Sequence, residues 1–230
     1  MMRHLFQPTL CFHFIRTFLS HRVLRCFILG LVPLAFCSCA ATSVKHTWKS
    51  PEFQGPAVTK VASLVIDDRK MLRQGFENRF VTQLKGRGIT AIPTYELLSL
   101  GEIKEDKPAA GEKFRAAGAE ALLIMRLVDV NFKYREIRPG NERYAAVATG
   151  LEHGYWYDYY SVAYMDMSPT YGSMEHNVAL EASLYDLKTA KQLWSGLTQT
   201  TLKETSDRVA EMDPIVSKIL AAMQKDGVIP

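Results

Sequence analysis

Six tyrosines and one tryptophan fall within nineteen residues, Gly154-Tyr-Trp-Tyr-Asp-Tyr-Tyr-Ser-Val-Ala-Tyr-Met-Asp-Met-Ser-Pro-Thr-Tyr-Gly172. Tyrosine joins a large rigid face to a polar tip at low entropic cost, which suits it to binding surfaces. Tyr155, Trp156, Tyr157, Tyr159, Tyr160 and Tyr164 are therefore candidate binding residues for a protein partner or for a glycan whose sugar rings would stack on them. Two other readings compete: an extended hairpin whose rings pack on their own sheet, and contact with a membrane interface, where Tyr and Trp are enriched. Met165, Met167 and Met174, with His153 and His176 nearby, are donors of the soft type that selects Cu(I). Scattered through an aromatic stretch they read as packing, and no metal site is expected. Asp67-Asp68 follows an apolar run at the place where open α/β sheets bind ligands, but a helix N-cap accounts for the pair. Ser161, Ser168 and Ser173 sit in no nucleophile elbow. Gly86-Arg-Gly88 lacks the spacing of a phosphate loop and follows a helix rather than preceding one. No catalytic residue and no cofactor are expected, and the protein is not expected to be an enzyme.

The cysteines carry a different chemistry. All four, Cys11, Cys26, Cys37 and Cys39, lie in the first 39 residues. Arg16, Arg22 and Arg25 precede an apolar core from Cys26 to Phe36, and small residues follow from Ser38 to Ser43. A basic start, an apolar core of about 7–15 residues and a small-residue cut make a signal peptide. This one resembles a bacterial lipoprotein leader, in which a cysteine at the cut is acylated and becomes the first mature residue. Cys39 is the favoured acceptor, with Ser38 before it but Phe36 where Leu is usual. Cys37 is the alternative, with Leu34 well placed but bulky Phe36 at the cut. An uncleaved anchor competes with both, because Cys26 to Val44 is nineteen residues without a charge and about 20 apolar residues span a bilayer. Pro33 and the Ser, Ala and Thr of the last third argue against it. The first 22 residues are long for such a leader, and translation starting further in, at Val23, is a further option.

Charge divides at the same place. Of 28 Lys and Arg, four Arg fall in residues 1–38, where there is no acid, leaving 24 basic residues against 24 acids in the mature chain. A neutral domain has no clustered cation excess with which to neutralise phosphates, so nucleic acid is not an expected partner. Residues 39–230 number 192, enough for one domain with a real core and no disulfide staples. With Cys39 acylated the mature chain holds no free thiol, which excludes thiol catalysis and Cys-ligated metals there.

The elements needed to position the aromatic stretch follow from periodicity. A short strand is expected at Ser43–Trp48, then a proline-broken linker. Lys60–Ile66 is a short apolar run of the buried-strand type. Leu72, Phe76, Phe80 and Leu84 recur every four residues as one helix face, which Gly86 and Gly88 close. Ile89–Ile92 returns as a strand stopped by Pro93, giving the strand–helix–strand unit of a parallel pair. A polar stretch from Gly101 to Lys107 leads to a short helix over 109–117, then to a central strand from Glu120 to Val130. Val178, Leu180, Ala182 and Leu184 alternate with polar or small neighbours, and a turn at Asp186–Lys191 joins them to Gln192–Thr198 as a hairpin. Val209, Met212, Val216, Ile219 and Met223 mark a last helix that Pro214 kinks or restarts with Asp213 as cap. The expected class is α/β (an α+β sandwich) with a mixed sheet in the order β-α-β-α-β-(aromatic insertion)-β-β-α. The organisation reads as a signal peptide at 1–38, a lipidated tether and linker at 39–58, and a periplasmic domain at 59–230 with its insertion at about 139–174.

The hairpin wording Leu184-Tyr-Asp-Leu-Lys-Thr-Ala-Lys-Gln-Leu-Trp-Ser195 resembles the strand pair of many bacterial envelope lipoproteins. The element order over about 59–224 is similar to the TolB amino-terminal domain, the curli secretion lipoprotein and the lipoprotein activators of penicillin-binding proteins. The resemblance implies a non-catalytic component that interacts or assembles in the cell envelope, held to the membrane through acylated Cys39, with an envelope protein or peptidoglycan as partner. Ala40 lacks the Asp that retains such proteins at the inner membrane, which implies the periplasmic face of the outer membrane. A glycan or small-ligand binder using the Tyr/Trp stretch is the alternative.

Overall fold

Two strands begin the folded chain, Ala41–Lys49 (β1) and Lys60–Ile66 (β2). The structure, a computed structural model, describes residues 41–128, 154–165, 177–201 and 208–230. The leader with Cys39, the rest of the 139–174 insertion and all but Met165 of the Met/His group lie outside them. After β2 come helix α1 (Lys70–Lys85), strand β3 (Thr90–Pro93), a 3-10 turn (Thr94–Glu96), α2 (Leu100–Glu105), α3 (Lys107–Ala116) and β4 (Ala121–Val128). Then follow α4 (Trp156–Met165), β5 (Asn177–Asp186), β6 (Gln192–Thr201) and α5 (Arg208–Lys225). The six strands form one mixed sheet in the order β1-β6-β5-β4-β2-β3. β2 is parallel to β3 and β4, while β4–β5, β5–β6 and β6–β1 are antiparallel. The expected α/β class and mixed sheet are present. The segment 39–58, read as tether and linker with a short strand at Ser43–Trp48, carries the nine-residue β1, which zips along β6 from Ala41↔Thr201 to Lys49↔Trp194.

Both faces of the sheet are covered, which is why β2 and β4 are largely apolar runs rather than alternating ones. On one face Val61, Val65, Leu123 and Met125 meet Phe80 and Leu84 of α1 and Val216, Ile219 and Met223 of α5. On the other, Leu64, Leu122 and Ile124 meet Ile103 of α2, Phe114 of α3 and the rings of α4. Each fully buried large side chain contributes roughly 1.5–3 kcal/mol relative to exposure.

Local chemistry departs from the sequence reading at three caps. Asp67 does not cap α1. Its carboxylate accepts the Arg69 backbone N–H at 2.9 Å and holds the Arg69 guanidinium at 2.5 Å, while Arg69, with no capping side-chain bond, occupies the N-cap. The polar stretch 101–107 is not a loop: Ser99 and Glu102 form a reciprocal capping box that starts α2, and Asp106 caps α3 with Pro108 in its first turn. Asp213 does not restart the last helix. α5 runs through Pro214, and Asp213 instead reaches α1, with its carboxylate 3.3 Å from Arg79 Nε and its carbonyl accepting Gln83 Nε2 at 3.1 Å. The hairpin turn is as expected in kind: Asp186 Oδ1 accepts the Thr189 N–H at 2.6 Å and its hydroxyl at 2.8 Å, and Ala190 takes the left-handed conformation at φ 60°.

The chain crosses from the α1 face to the α2–α3 face around the β3 edge, and a buried ion pair holds the crossing. Glu77, fully enclosed on α1, accepts Arg73 Nε at 2.9 Å, the Val65 N–H of β2 at 3.1 Å, the Tyr95 N–H at 2.8 Å and the Thr94 hydroxyl at 3.2 Å. Arg73 in turn donates to the Leu98 carbonyl at 2.9 Å. Desolvation raises the Glu77 carboxyl above its ordinary pKa, and Arg73 together with the backbone donors pulls it back. Removing one partner of such a pair strands the other charge, at a cost of about 3–5 kcal/mol. Glu77→Ala is expected to lower stability by that amount in urea unfolding, and a loss under 1 kcal/mol would show the pair to be dispensable.

Candidate functional site: the aromatic helix and the charges beneath it

Within the aromatic stretch, Trp156–Met165 forms the helix α4, and the remainder of the stretch after Met165 lies outside the described residues. α4 places Trp156, Tyr159, Tyr160 and Ala163 at spacings of three and four, one helical face. Gly154 and Tyr155 tie its start to the hairpin turn: Trp156 N–H donates to the Ala190 carbonyl at 3.0 Å, Gln192 N–H donates to the Gly154 carbonyl at 3.1 Å, and Tyr155 bridges Lys191. The helix therefore leans on the sheet through bonds at its first turn as well as through its rings.

The structure divides the six candidate residues. Trp156 and Tyr160 are wholly buried and Tyr159 is 3 % exposed. Trp156 lies over α3, so close that a Cβ on Gly111 would stand 3.2 Å from its ring. Tyr160 meets Trp156 edge-on at 6.5 Å between centroids and donates its hydroxyl to the Leu100 carbonyl at 2.7 Å, joining α4 to α2. These three candidate rings lie in the core rather than at the surface. The physical reason is their helical spacing, which aims all three at the sheet. Tyr157 and Tyr164 are half-buried, Tyr164 beneath Lys104 at 4.6 Å, and Tyr155 is 47 % exposed.

Under Tyr159 sits a feature that the sequence reading missed. Arg126 of β4 and Glu181 of β5 are directly opposite in the ladder, and both are buried. Arg126 Nε donates to Glu181 Oε2 at 2.8 Å, and the guanidinium lies 5.4 Å from the Tyr159 ring centre. Tyr185 stacks near Tyr159 at 5.8 Å, and Ser183 accepts Gln192 Nε2 at 3.3 Å. Burial, reinforced by the Glu181 charge, pushes the Tyr159 phenol well above its usual range despite the opposing Arg126. Burial does the same to Tyr185, with smaller contributions from Tyr159 and Glu181. Both phenols stay protonated, so the cluster holds a charge pair between neutral hydroxyls. The missed signal was Arg126 inside Leu122–Val128, a charge inside an apolar strand that requires a partner. Among the described residues no group of three His, Cys, Asp or Glu is placed to hold a metal ion, and no helix is long and apolar enough to cross a membrane.

No family model matches the chain, and no curated protein matches it. Solved structures that resemble it include a PelC dodecamer from Paraburkholderia phytofirmans, at TM-score 0.43 and 14% identity over 79% of this chain and 96% of that one. A dodecamer of a PelC variant from the same organism gives 0.44 and 12% over the same shares. Lipoprotein GNA1162 from Neisseria meningitidis gives 0.39 and 13% over 72% of this chain and 96% of that one. At these scores the likenesses carry no argument about function.

The buried and exposed rings of α4 should separate cleanly in stability measurements. Trp156→Ala is expected to cost about 3–5 kcal/mol, and Tyr155→Ala less than about 0.5 kcal/mol. Equal losses in thermal unfolding would contradict the assignment of Trp156 to the core.

Proposed function

We propose that this protein is an envelope lipoprotein, acylated at Cys39, whose domain stands on the periplasmic face of the outer membrane as an interaction or assembly component. The observation that carries the reading is the start of β1. Among the described residues the first paired in the sheet, Ala41, stands two positions after Cys39. A lipid-bearing cysteine there joins the domain with almost no slack, and the small residues demanded at the cut are followed at once by folded chain. The leader's Arg25, its apolar core and Ser38 support the same placement. Outer-membrane residence rests on Ala40 in place of a retaining Asp, and the interaction role rests on the hairpin wording Leu184–Ser195 shared with envelope lipoproteins that assemble or activate.

The alternative, a glycan or small-ligand binder, keeps only part of its surface. Stacking on a sugar requires open ring faces, and of the six candidate rings Tyr155 is exposed and Tyr157 and Tyr164 half-buried, while the other three are buried. The interaction reading is the better supported of the two.

The test is metabolic labelling with a clickable palmitate analogue, followed by fractionation. The full chain is expected to take up label and sediment with outer membranes, and Cys39→Ala to lose both properties. Label retained in Cys39→Ala but lost in Cys37→Ala would move the acceptor to Cys37. An unlabelled full-length chain that still sediments with membranes would replace the lipoprotein by an uncleaved anchor.

A further inference from the structure

β1 and α5 lie side by side on the open flank of the sheet, and a groove of about 380 Å³ runs between them. Half-buried Val44 of β1 and Ala222 of α5 are among its lining residues. Its rim carries Lys45, Lys218 and Lys225, all exposed. The ladder between β1 and β6 shifts register between Val44 and His46, so Lys45 is the extra residue of a bulge. Bulges re-aim side chains, and this one adds a lysine to the groove.

Positive charge is in excess at this groove. None of the three lysines forms an ion pair among the described residues. The groove's lining holds one acid, Asp226, whose carboxylate accepts Trp194 Nε1 at 2.8 Å and whose carbonyl accepts Lys49 Nζ at 2.8 Å, so three lysines face a single carboxylate. In a mature chain of 24 basic and 24 acidic residues, such a group is a local excess and not a reflection of net charge. Lysine is a mobile point charge with three donors, suited to phosphates that present many orientations.

We infer that this groove is a docking surface for the phosphate headgroups of anionic phospholipids, on which the domain lies along its β1 edge. The inference rests on the lipid-anchor reading for one point, that a membrane stands beside β1. Lys45 is six residues from Cys39, and a strand rises about 3.3 Å per residue. A domain anchored at Cys39 therefore holds Lys45 within about 20 Å of the bilayer surface whatever its tilt. Laying β1 along the headgroups brings all three lysines to them together, and each near-surface lysine strengthens such attraction about fivefold. The lysines would thus fix how the rest of the molecule faces the periplasm.

The competing explanation is that they only guard an edge strand against aggregation, as edge lysines commonly do. Co-sedimentation with vesicles separates the two. The protein used is the acyl-free chain from Ala40 to Pro230, which forms one compact unit, with folding confirmed by circular dichroism. Vesicles of phosphatidylcholine alone are compared with vesicles containing phosphatidylglycerol and cardiolipin. Binding is expected only to the anionic vesicles, weakening as salt rises. The combined variant Lys45→Gln, Lys218→Gln and Lys225→Gln is expected to bind about 100-fold more weakly, and Lys188→Gln in the hairpin turn to bind as the parent does. The inference is overturned by equal binding to both vesicles, by no binding, or by a triple variant that binds normally, whether or not it aggregates. Because no acyl group is present, these outcomes are independent of whether Cys39 is modified.

Discussion

The structure depends on one buried carboxylate. Glu77 sits on α1 but bonds the backbone of β2 at Val65 and the turn after β3 at Thr94 and Tyr95. Through Arg73 the network continues to the Leu98 carbonyl, one residue before the Ser99 cap of α2. The chain changes faces of the sheet between these points, where few apolar side chains are available to guide it. Directional bonds do there what packing does elsewhere, since a buried charge tolerates few arrangements that satisfy it. Everything on the second face, α2 and α3 and then the shelf on which α4 lies, is placed relative to the first by this crossing.

A second buried pair performs the corresponding task in the middle of the sheet. Arg126 and Glu181 sit opposite one another on β4 and β5, so a slip of one strand by one residue would turn one charge to the opposite face and leave the other buried without it. Buried pairs add little net stability because desolvation offsets their attraction. Such a pair favours the register that joins its charges over one that parts them. Tyr159 closes over the pair from α4, so the same charges that set the register also set where the aromatic helix rests.

The strands and long helices were legible because their signals are periodic. Phe76, Phe80 and Leu84 announce one face of α1, and Met212, Val216, Ile219 and Met223 announce one of α5; both faces are buried as the spacing requires. Sequence reading failed where a side chain's role depends on a partner distant in the chain. Asp67 and Asp213 have the composition of helix caps, but Arg69 and Arg79 engage them elsewhere. The capping box Ser99–Glu102 was legible and was passed over, because only Leu100 and Ile103 mark the apolar side of so short a helix. The partnership of Arg126 with Glu181 spans 55 positions, and no local pattern reports it.

The aromatic stretch shows why composition alone misplaces a site. Tyrosine and tryptophan suit both interfaces and cores, and what decides between them is geometry. At strand spacing, Tyr155, Tyr157 and Tyr159 would share a face and leave Trp156 and Tyr160 on the other. At helical spacing, Trp156, Tyr159 and Tyr160 turn together, and the side they face is the sheet. The residues most suggestive of recognition thus complete the core of the second face, as α1 and α5 complete the first. Any surface that this molecule offers to a partner must then be sought away from the buried side of α4, on the flanks where charge is left unpaired. The β1–α5 flank meets that condition, and on the proposed lipid anchoring at Cys39 the short span to Ala41 would set it beside the membrane.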